Sequence, residues 1–379
     1  MGDNNNDEMW HGMENSTKNE TPQVSERMLE VENSIDEFSA ELIHNYSLLN
    51  GVQVDVGLGY EMNNVWLDKR ATGENQINLS NQLNNGYLFA QGSLPISKNL
   101  LVKPGVRVIY AGLTGEYYVE PKLSASFSVS EPLKINASFG QYHQFISKTS
   151  FVDSNLNTTL YWTASDGAVT PVLGATHYVS GVSYNKNNFL LSVEGYFKQT
   201  TGITRYYSGT PQVSRGFYSG KGRSFGIDFY LKKEYKKNVA WIAYTISKTE
   251  ENLSFDNTNQ YRLAPQHQKH ELKLAGIYNL KAFYFSANYV YGSGFEIMKN
   301  YTGEGGSVPI YSRLDVAAIY KFSKHRLFGK IGISVLNVLN QQNIKYTNLR
   351  RVENGDTELI NIHSEAVPFT PTLFLTFSF

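Results

Sequence analysis

The chain has 379 residues, with 34 basic residues, 34 acidic residues, 26 tyrosines, 21 phenylalanines and no cysteine. Its zero net charge and pI near 7.1 indicate no nucleic-acid partner, and the lack of cysteine excludes disulfide and thiolate chemistry. No run of about 18 apolar residues exists, which excludes a helical membrane protein. The mean hydropathy of −0.36 is compatible with membrane-spanning strands, in which only alternate residues are apolar.

The first 32 residues are polar and show no regular apolar period. Residues 1–10 carry acidic and amide side chains where a secretory signal has basic residues followed by an apolar run, so they are no export signal. Asn-Ser-Thr and Asn-Glu-Thr runs follow, and such runs are typical of loops. We predict a polar extracellular loop over residues 1–32.

Residues 33–379 repeatedly alternate apolar and polar side chains, the period of a β-strand whose two faces meet different environments. In the segment 222–234, Phe225, Ile227 and Phe229 fall on one face and Asp228 falls on the other. Fifteen antiparallel strands are predicted, joined as hairpins in sequence order. They lie near residues 33–47, 51–62, 85–97, 99–112, 116–130, 132–147, 174–186, 188–202, 222–234, 237–249, 267–279, 281–293, 310–322, 326–339 and 367–379.

The predicted connections alternate between short and long. Short turns are expected at 48–50, 98, 131, 187, 235–236, 280 and 323–325. Long connections are expected at 63–84, 148–173, 203–221, 250–266, 294–309 and 340–366, and only the turn at 113–115 breaks the alternation. Transmembrane barrels have short periplasmic turns and long extracellular loops, whereas a soluble sandwich has no reason to sort its loops in this way.

The last predicted strand carries the alternation to the final residue. Phe379, Phe377, Leu375 and Leu373 fall on one face, and threonine and serine occupy most of the other. Its length of about 11 residues is what a tilted strand needs to cross a bilayer. These patterns predict an all-β protein, an antiparallel transmembrane β-barrel with membrane lipid around it.

The predicted topology has an odd number of strands. A chain that begins in an outside loop and ends in the periplasm crosses the membrane an odd number of times, whereas a bacterial single-chain barrel closes with an even number. Unpaired strand edges in lipid leave backbone groups without partners. We therefore expect at least one further strand upstream, and we expect this chain not to form a stable barrel by itself.

Several segments, in this order, resemble the barrel of TonB-dependent outer-membrane receptors. The clearest pair is residues 222–233, Gly-Arg-Ser-Phe-Gly-Ile-Asp-Phe-Tyr-Leu-Lys-Lys, followed by residues 239–248, Val-Ala-Trp-Ile-Ala-Tyr-Thr-Ile-Ser-Lys. Further similar segments are residues 120–127, 133–142, 265–270, 289–294, 311–315 and 336–340, and the terminal Phe379. The resemblance covers residues 33–379. The motifs are individually weak, and their order and spacing carry the assignment.

The resemblance implies a partial barrel in the outer membrane. The barrels of such plugged transporters have 22 strands, so about fifteen strands would be the C-terminal part of one. No segment before residue 33 resembles the plug domain of these receptors or the short box that engages the TonB complex. Where the family often has an acidic residue ahead of its histidine, this chain has Gln268 and Lys269 before His270. We therefore expect a C-terminal fragment or a truncated product.

The resemblance also implies active transport. A scarce extracellular ligand would be caught by the long loops and would reach the periplasm with energy from the TonB complex, acting through a plug domain absent from this sequence. The resemblance assigns an assembly signal to Phe379 and Phe377, which the barrel-assembly machinery would read. Phe379→Ala should then impair insertion.

Candidate ligand contacts are aromatic residues in the predicted long loops, namely Tyr161, Trp162, Tyr206, Tyr207, Phe217 and Tyr218. The alternative for these rings is an ordinary place at the membrane interface. Arg313 and Asp315 lie two residues apart on one strand face, which predicts an ion pair in the lumen. A structural role in register or plug docking is the main interpretation of that pair, and substrate contact is the alternative.

The sequence gives no indication of an enzyme or a cofactor. His267 and His270 would point to opposite faces of a strand and form a poor metal pair. No serine-hydrolase, zinc-protease or phosphate-loop motif is present. Three other hypotheses remain open: a passive porin with an inward-folded constriction loop, a non-functional truncated receptor fragment, and a surface adhesin built of hairpins.

Overall fold

The computed structural model describes residues 29–71, 77–209, 213–254, 260–296, 309–324, 327–344, 350–354, 358–362 and 366–378. The first strands are β1 Leu29–Ser47, β2 Gln53–Ala71, β3 Ile77–Pro95, β4 Leu100–Ala111, β5 Glu116–Ser128, β6 Leu133–Gln144, β7 Ile146–Val152, β8 Thr158–Ala164, β9 Leu173–Lys186 and β10 Phe189–Tyr207. The later strands are β11 Gly216–Tyr235, β12 Asn238–Leu253, β13 Arg262–Leu263, β14 His270–Leu280, β15 Phe283–Gly292, β16 Tyr311–Lys324, β17 Leu327–Leu336, β18 Arg350–Asn354, β19 Glu358–Ile362 and β20 Thr370–Ser378.

Fifteen strands form one antiparallel ladder, in the order β1-β2-β3-β4-β5-β6-β9-β10-β11-β12-β14-β15-β16-β17-β20. β7, β8 and β13 join the same sheet at one end, which makes eighteen strands, and β18 and β19 form a separate hairpin. In the described residues β1 pairs only with β2 and β20 only with β17, so the sheet is not closed. The predicted fold class and the fifteen strand positions are confirmed.

The predicted strand ends are wrong on the side of the long connections. The loop expected at 63–84 is mostly ladder, because β2 continues to Ala71 and β3 begins at Ile77. Likewise β10 and β11 extend into the 203–221 connection, and β18 and β19 lie in the 340–366 connection. Residues 29–32, which were predicted as part of the loop over 1–32, belong to β1. Residues 1–28 lie outside the described residues. Strands of 19 or 20 residues exceed the about 9–11 that cross a bilayer, so a membrane-spanning sheet with such strands would extend beyond the bilayer at this end.

The sheet has one apolar and one polar face. The apolar face is continuous from strand to strand, because the registers place Leu42 opposite Leu58 and Leu58 opposite Leu88, and place Ile333 opposite Leu373 at the far edge. Most of the large apolar side chains that are exposed lie on this face, and Leu373 is 74% exposed. The opposite face carries charged and amide groups. We call the ends of the sheet the long-connection end and the short-turn end.

No helix in the described part of the chain is long and apolar enough to cross a bilayer.

Candidate functional site

Residues 146–164 form a hairpin that lies across the polar face, which we call the crossing hairpin. The long connection predicted over residues 148–173 is present, and it contains two strands, β7 and β8, that were not predicted. β7 and β8 pair from Ile146 with Ala164 to Val152 with Thr158, and the buried Thr149 and Thr163 hydroxyl oxygens are 2.6 Å apart. Asp153 closes the tip, since its Oδ1 accepts the backbone N–H groups of Asn155 at 2.9 Å and Asn157 at 2.8 Å. A short acidic side chain of this kind commonly nucleates such turns.

The crossing hairpin connects two distant parts of the sheet. β7 pairs in parallel with β10, where Phe151 lies opposite Tyr206. β8 reaches β1, where the Asn33 side chain accepts the Trp162 backbone N–H at 2.9 Å and donates to the Trp162 carbonyl at 3.0 Å. Seven steps of the ladder separate β1 from β10, a path of about 34 Å along the sheet. The sheet must therefore curve for a two-stranded hairpin to touch both.

Two apolar clusters hold the crossing hairpin on the polar face. In one, Leu67 is 0% exposed and packs with Phe151 and Tyr206; in the other, Val65 and Leu83 pack with Ala164. Val65 and Leu67 flank the exposed Trp66, so strand alternation places them on the polar, concave side. The hairpin therefore lies inside the curve at the long-connection end.

The six aromatic residues predicted as ligand contacts all lie near the crossing hairpin. Ring centroids of Tyr161 and Tyr206 are each 5.1 Å from that of Phe151, and Phe217 is 4.9 Å from Tyr206. Trp162 packs in the other cluster, and the centroids of Tyr207 and Tyr218 are 5.9 Å apart. Tyr206 and Tyr207 are buried. Phe151, which was not among the predicted contacts, is the ring that three of the six surround: Tyr161, Tyr206 and Phe217.

A cluster of charges adjoins the aromatic rings on the extended part of β12. Glu250 and Glu251 are buried neighbours whose side chains point to opposite faces. Glu251 pairs with Arg205 and accepts the Gln266 side-chain amide at 3.1 Å. Glu250 accepts Arg223 Nε at 2.7 Å and lies 2.6 Å from Lys248 Nζ. The sequence analysis missed this network; adjacent acids just past a membrane-length strand are the signal that could have shown it.

A second polar network lies on the inner wall of β1 to β4. The Tyr87 hydroxyl donates to Glu41 at 2.8 Å, and the guanidinium of Arg107 lies 3.6 Å from the centre of the Tyr87 ring and 3.3 Å from Glu61. The ring crosses β2 at Gly59, where a Cβ would lie 2.2 Å from Tyr87 Cζ. Glycine at this position leaves room for the Tyr87 ring.

The connection after β8 is organised by Asp166. Its Oδ1 accepts the backbone N–H groups of Ala168 and Thr170, both at 2.9 Å. Burial acts to raise the pKa of the Asp166 carboxyl, but these N–H donors favour the carboxylate and hold the pKa below its ordinary value. The site at the long-connection end thus combines buried rings, paired charges and ordered turns.

A family described as TonB dependent receptor-like, beta-barrel, matches residues 4–338. The chain belongs to the TonB-dependent receptor β-barrel family. It is accordingly an outer-membrane protein. That the apolar face of the sheet faces lipid stays a prediction, and we call this face the lipid face. No curated protein matches the sequence significantly.

Several solved structures have a similar fold and are longer than this chain. BauA of Acinetobacter baumannii, a ferric preacinetobactin receptor, shares 13% identity at a TM-score of 0.61, over 92% of this chain and 55% of that one. FpvA of Pseudomonas aeruginosa, solved with heterologous pyoverdines, shares 12% identity at a TM-score of 0.61. The match covers 92% of this chain and 48% of that one. The ferric enterobactin receptor PfeA of Pseudomonas aeruginosa, solved as a mutant, shares 12% identity at a TM-score of 0.59. The match covers 91% of this chain and 54% of that one. The chain thus spans about half the length of these receptors.

Other predicted site residues lie toward the C-terminal edge of the receptor barrel. Arg313 Nε is 2.8 Å from Asp315 Oδ1 on the polar face of β16, and Asp315 also accepts the backbone N–H of Asn337 at 2.9 Å. These contacts tie β16 to the residue after β17; contact with a ligand or plug stays a prediction. Phe377 lies on the lipid face, its ring centroid 6.1 Å from that of Phe322, and Phe379 lies outside the described residues.

The two histidines examined as a metal pair make separate contacts. His270 Nδ1 is 2.8 Å from the Tyr244 hydroxyl, and His267 Nδ1 accepts the Thr249 backbone N–H at 3.3 Å. Among the described residues no group of three or more metal-ligating side chains occurs.

Proposed function

We propose that this chain forms the C-terminal barrel portion of an active outer-membrane importer, which binds a scarce extracellular ligand and passes it to the periplasm with energy from the TonB complex. The observation that carries the proposal is the crossing hairpin, which places a folded, aromatic and charged structure across the polar face at the long-connection end. A barrel wall with this arrangement can recognise a ligand and surround its path without bond chemistry.

The recognition surface we propose is the exposed part of the crossing hairpin and its neighbours. Tyr161, Trp162, Phe217 and Tyr218 keep some exposure, whereas Tyr206 and Tyr207 are buried and would support the others from beneath. Aromatic rings on a rigid support offer contact area at a low cost in side-chain entropy. The paired charges of Glu250 and Glu251 fix the strand ends that carry this surface.

A ferric siderophore is the first ligand class to test. The solved relatives are described as receptors for ferric preacinetobactin and ferric enterobactin, and as a complex with ferric pyoverdines. Siderophore chelates are larger than a single metal ion and need a wide polar lumen, which the inner wall supplies. The TonB complex would act through a plug domain, and the barrel-assembly machinery would insert the strands.

The test is uptake of labelled ferric siderophores by cells that carry the full receptor gene. Uptake should require the gene, should stop with a protonophore or without the TonB complex, and should saturate. Trp162→Ala should weaken uptake, whereas Trp66→Ala, on the lipid face of β2, is the matched control. Uptake that continued at the same rate without energy would contradict active import.

A passive porin is the second candidate, and the crossing hairpin also favours it, because porins place a folded loop inside the barrel. A liposome-swelling assay distinguishes a passive porin from an energised receptor. A porin lets small solutes equilibrate in proportion to their size, whereas an energised receptor with its plug admits them poorly. Rapid swelling that was independent of any bound ligand would favour the porin.

A further inference from the structure

A groove of about 700 Å³ lies on the lipid face of β12 to β17. Its floor is made of small side chains on adjacent strands, including Ala240, Gly276, Ala287 and Ala318, and its sides include Tyr278 and Phe285. The registers place Ala240 opposite Gly276 and Gly276 opposite Ala287, so the floor runs across neighbouring strands. The volume falls within the about 300–1,000 Å³ of small-molecule sites.

The distance of the groove from the short-turn end places it within one leaflet of a bilayer. Gly276 lies four residues from Leu280, the last residue of β14 before the short turn. Four residues extend about 13 Å along the strand, which is about 10 Å along the membrane normal at a tilt of about 40°. Half of the hydrocarbon core of a bilayer is about 15 Å. The groove therefore accommodates an acyl chain of the leaflet at the short-turn end.

The short-turn end of these strands is strongly basic. Lys232, Lys233, Lys236, Lys237 and Lys281 lie in or beside the two turns, with Glu234 the one acidic residue among them. Lys233 and Tyr235 line the groove itself. The Lys233 ammonium donates to the Asn187 carbonyl at 3.0 Å, and an ammonium has three donors, so two remain for an acceptor from outside.

We propose that this groove is a binding site for an anionic phospholipid of the periplasmic leaflet, with an acyl chain over Gly276 and Ala287 and the phosphate beside Lys233. Short turns face the periplasm in bacterial barrels, which selects that leaflet. A cation at a membrane surface attracts an anionic headgroup, and the apolar floor selects a lipid over a free phosphate. The proposed lipid site requires that the protein lies in the outer membrane, and it does not require the proposed transport activity.

The test is native mass spectrometry of the complete receptor that contains this chain, purified folded in detergent and titrated with phosphatidylglycerol or phosphatidylcholine. Wild-type protein should retain one phosphatidylglycerol at concentrations at which phosphatidylcholine dissociates. Lys233→Gln should weaken phosphatidylglycerol binding about fivefold and leave phosphatidylcholine unchanged, since one cation at a membrane surface contributes about 1 kcal/mol. Lys98→Gln, at a distant short turn, should bind like wild type.

Filling the groove tests the acyl-chain contact. A Cβ at Gly276 would meet only ordinary contacts, at 3.7 Å and 4.0 Å, so Gly276→Leu should fold and should abolish retention of both lipids. Ala287→Leu fills the same groove from the next strand. Gly195→Leu is the matched control, since Gly195 lies on the lipid face of β10 away from the groove with its nearest Cβ contact at 3.9 Å.

Wild-type retention in both Gly276→Leu and Ala287→Leu would overturn the proposal. Equal retention of the two lipids, with no effect of Lys233→Gln, would also overturn it, because the groove would then hold only ordinary surrounding lipid.

Discussion

Leu67 and Leu373 show how differently the two faces of this sheet use the same side chain. Leu67 is completely buried by protein under the crossing hairpin, whereas Leu373, on the apolar face, is 74% exposed. Both lie on strands with period-two alternation. Alternation alone therefore identifies the face of a residue, and only the tertiary contacts decide whether protein or lipid covers it.

The largest expected effect is on the protein-covered side. Leu67→Ala should leave a cavity between β2 and the crossing hairpin and destabilise the hairpin by about 2–5 kcal/mol. Protease cleavage at the 153–157 turn should increase accordingly. Leu58→Ala, on the lipid face of the same strand, is the control, and equal cleavage in both variants would contradict the docked hairpin.

On the lipid-covered side the sensitive change is the introduction of a charge. Ile333 lies near the middle of the apolar band. Ile333→Arg should lower the free energy of unfolding by about 2–4 kcal/mol, because arginine near the bilayer midplane loses its hydration. Urea unfolding of protein folded into vesicles measures the cost. The adjacent Ser334→Arg faces the polar side and should cost much less; equal costs would mean that the faces are wrongly assigned.

A smaller effect is expected at the polar attachment of the hairpin. Asn33→Ala removes two hydrogen bonds to Trp162 and one to the Trp66 carbonyl, and should loosen the hairpin by about 1–3 kcal/mol. The same protease assay reports it. Asn45→Ala, which removes one exposed bond to Asp55, should leave cleavage unchanged.

The smallest effect on the folded structure is expected at the last residue, where a substitution should change insertion into the membrane and not the stability of the folded protein. We expect Phe379→Ala to lower the amount of protein inserted in the outer membrane, because the resemblance to this family implies that the terminal aromatic is read by the assembly machinery. Phe379→Tyr should restore insertion. The heat-modifiable band on an unboiled gel measures the folded fraction, and normal assembly of the alanine variant would remove this role.

The sequence predicted the ladder well because its signals are local. Alternation in segments such as Phe225 to Phe229 needs no distant partner, and the short turns carry residues such as Asn187 and Asn188 that accept positive φ. The strand ends beyond the membrane were missed, because Asn63, Asn78 and their polar neighbours lack strand preference and are held by cross-strand pairing.

The crossing hairpin could not be predicted from local pattern for a different reason. Its position depends on Asn33, which lies 129 residues from Trp162, and on the burial of Leu67 beneath Phe151. The same long-range contacts bury Tyr206 and Tyr207, which the sequence analysis had treated as loop residues open to a ligand. The alternation pattern left both residues in a long connection, so it indicated neither their strand nor the side chains that cover them.

The most direct measurement is spin labelling along β20, which is simple because the chain has no cysteine of its own. Nitroxides at positions 372, 373, 375 and 376 would be compared for collisions with oxygen, which concentrates in lipid, and with a water-soluble nickel complex. Positions 373 and 375 should favour oxygen, and positions 372 and 376 should favour nickel. Equal accessibility at all four, or oxygen preference at the threonine positions, would contradict a wall with lipid on one face and water on the other.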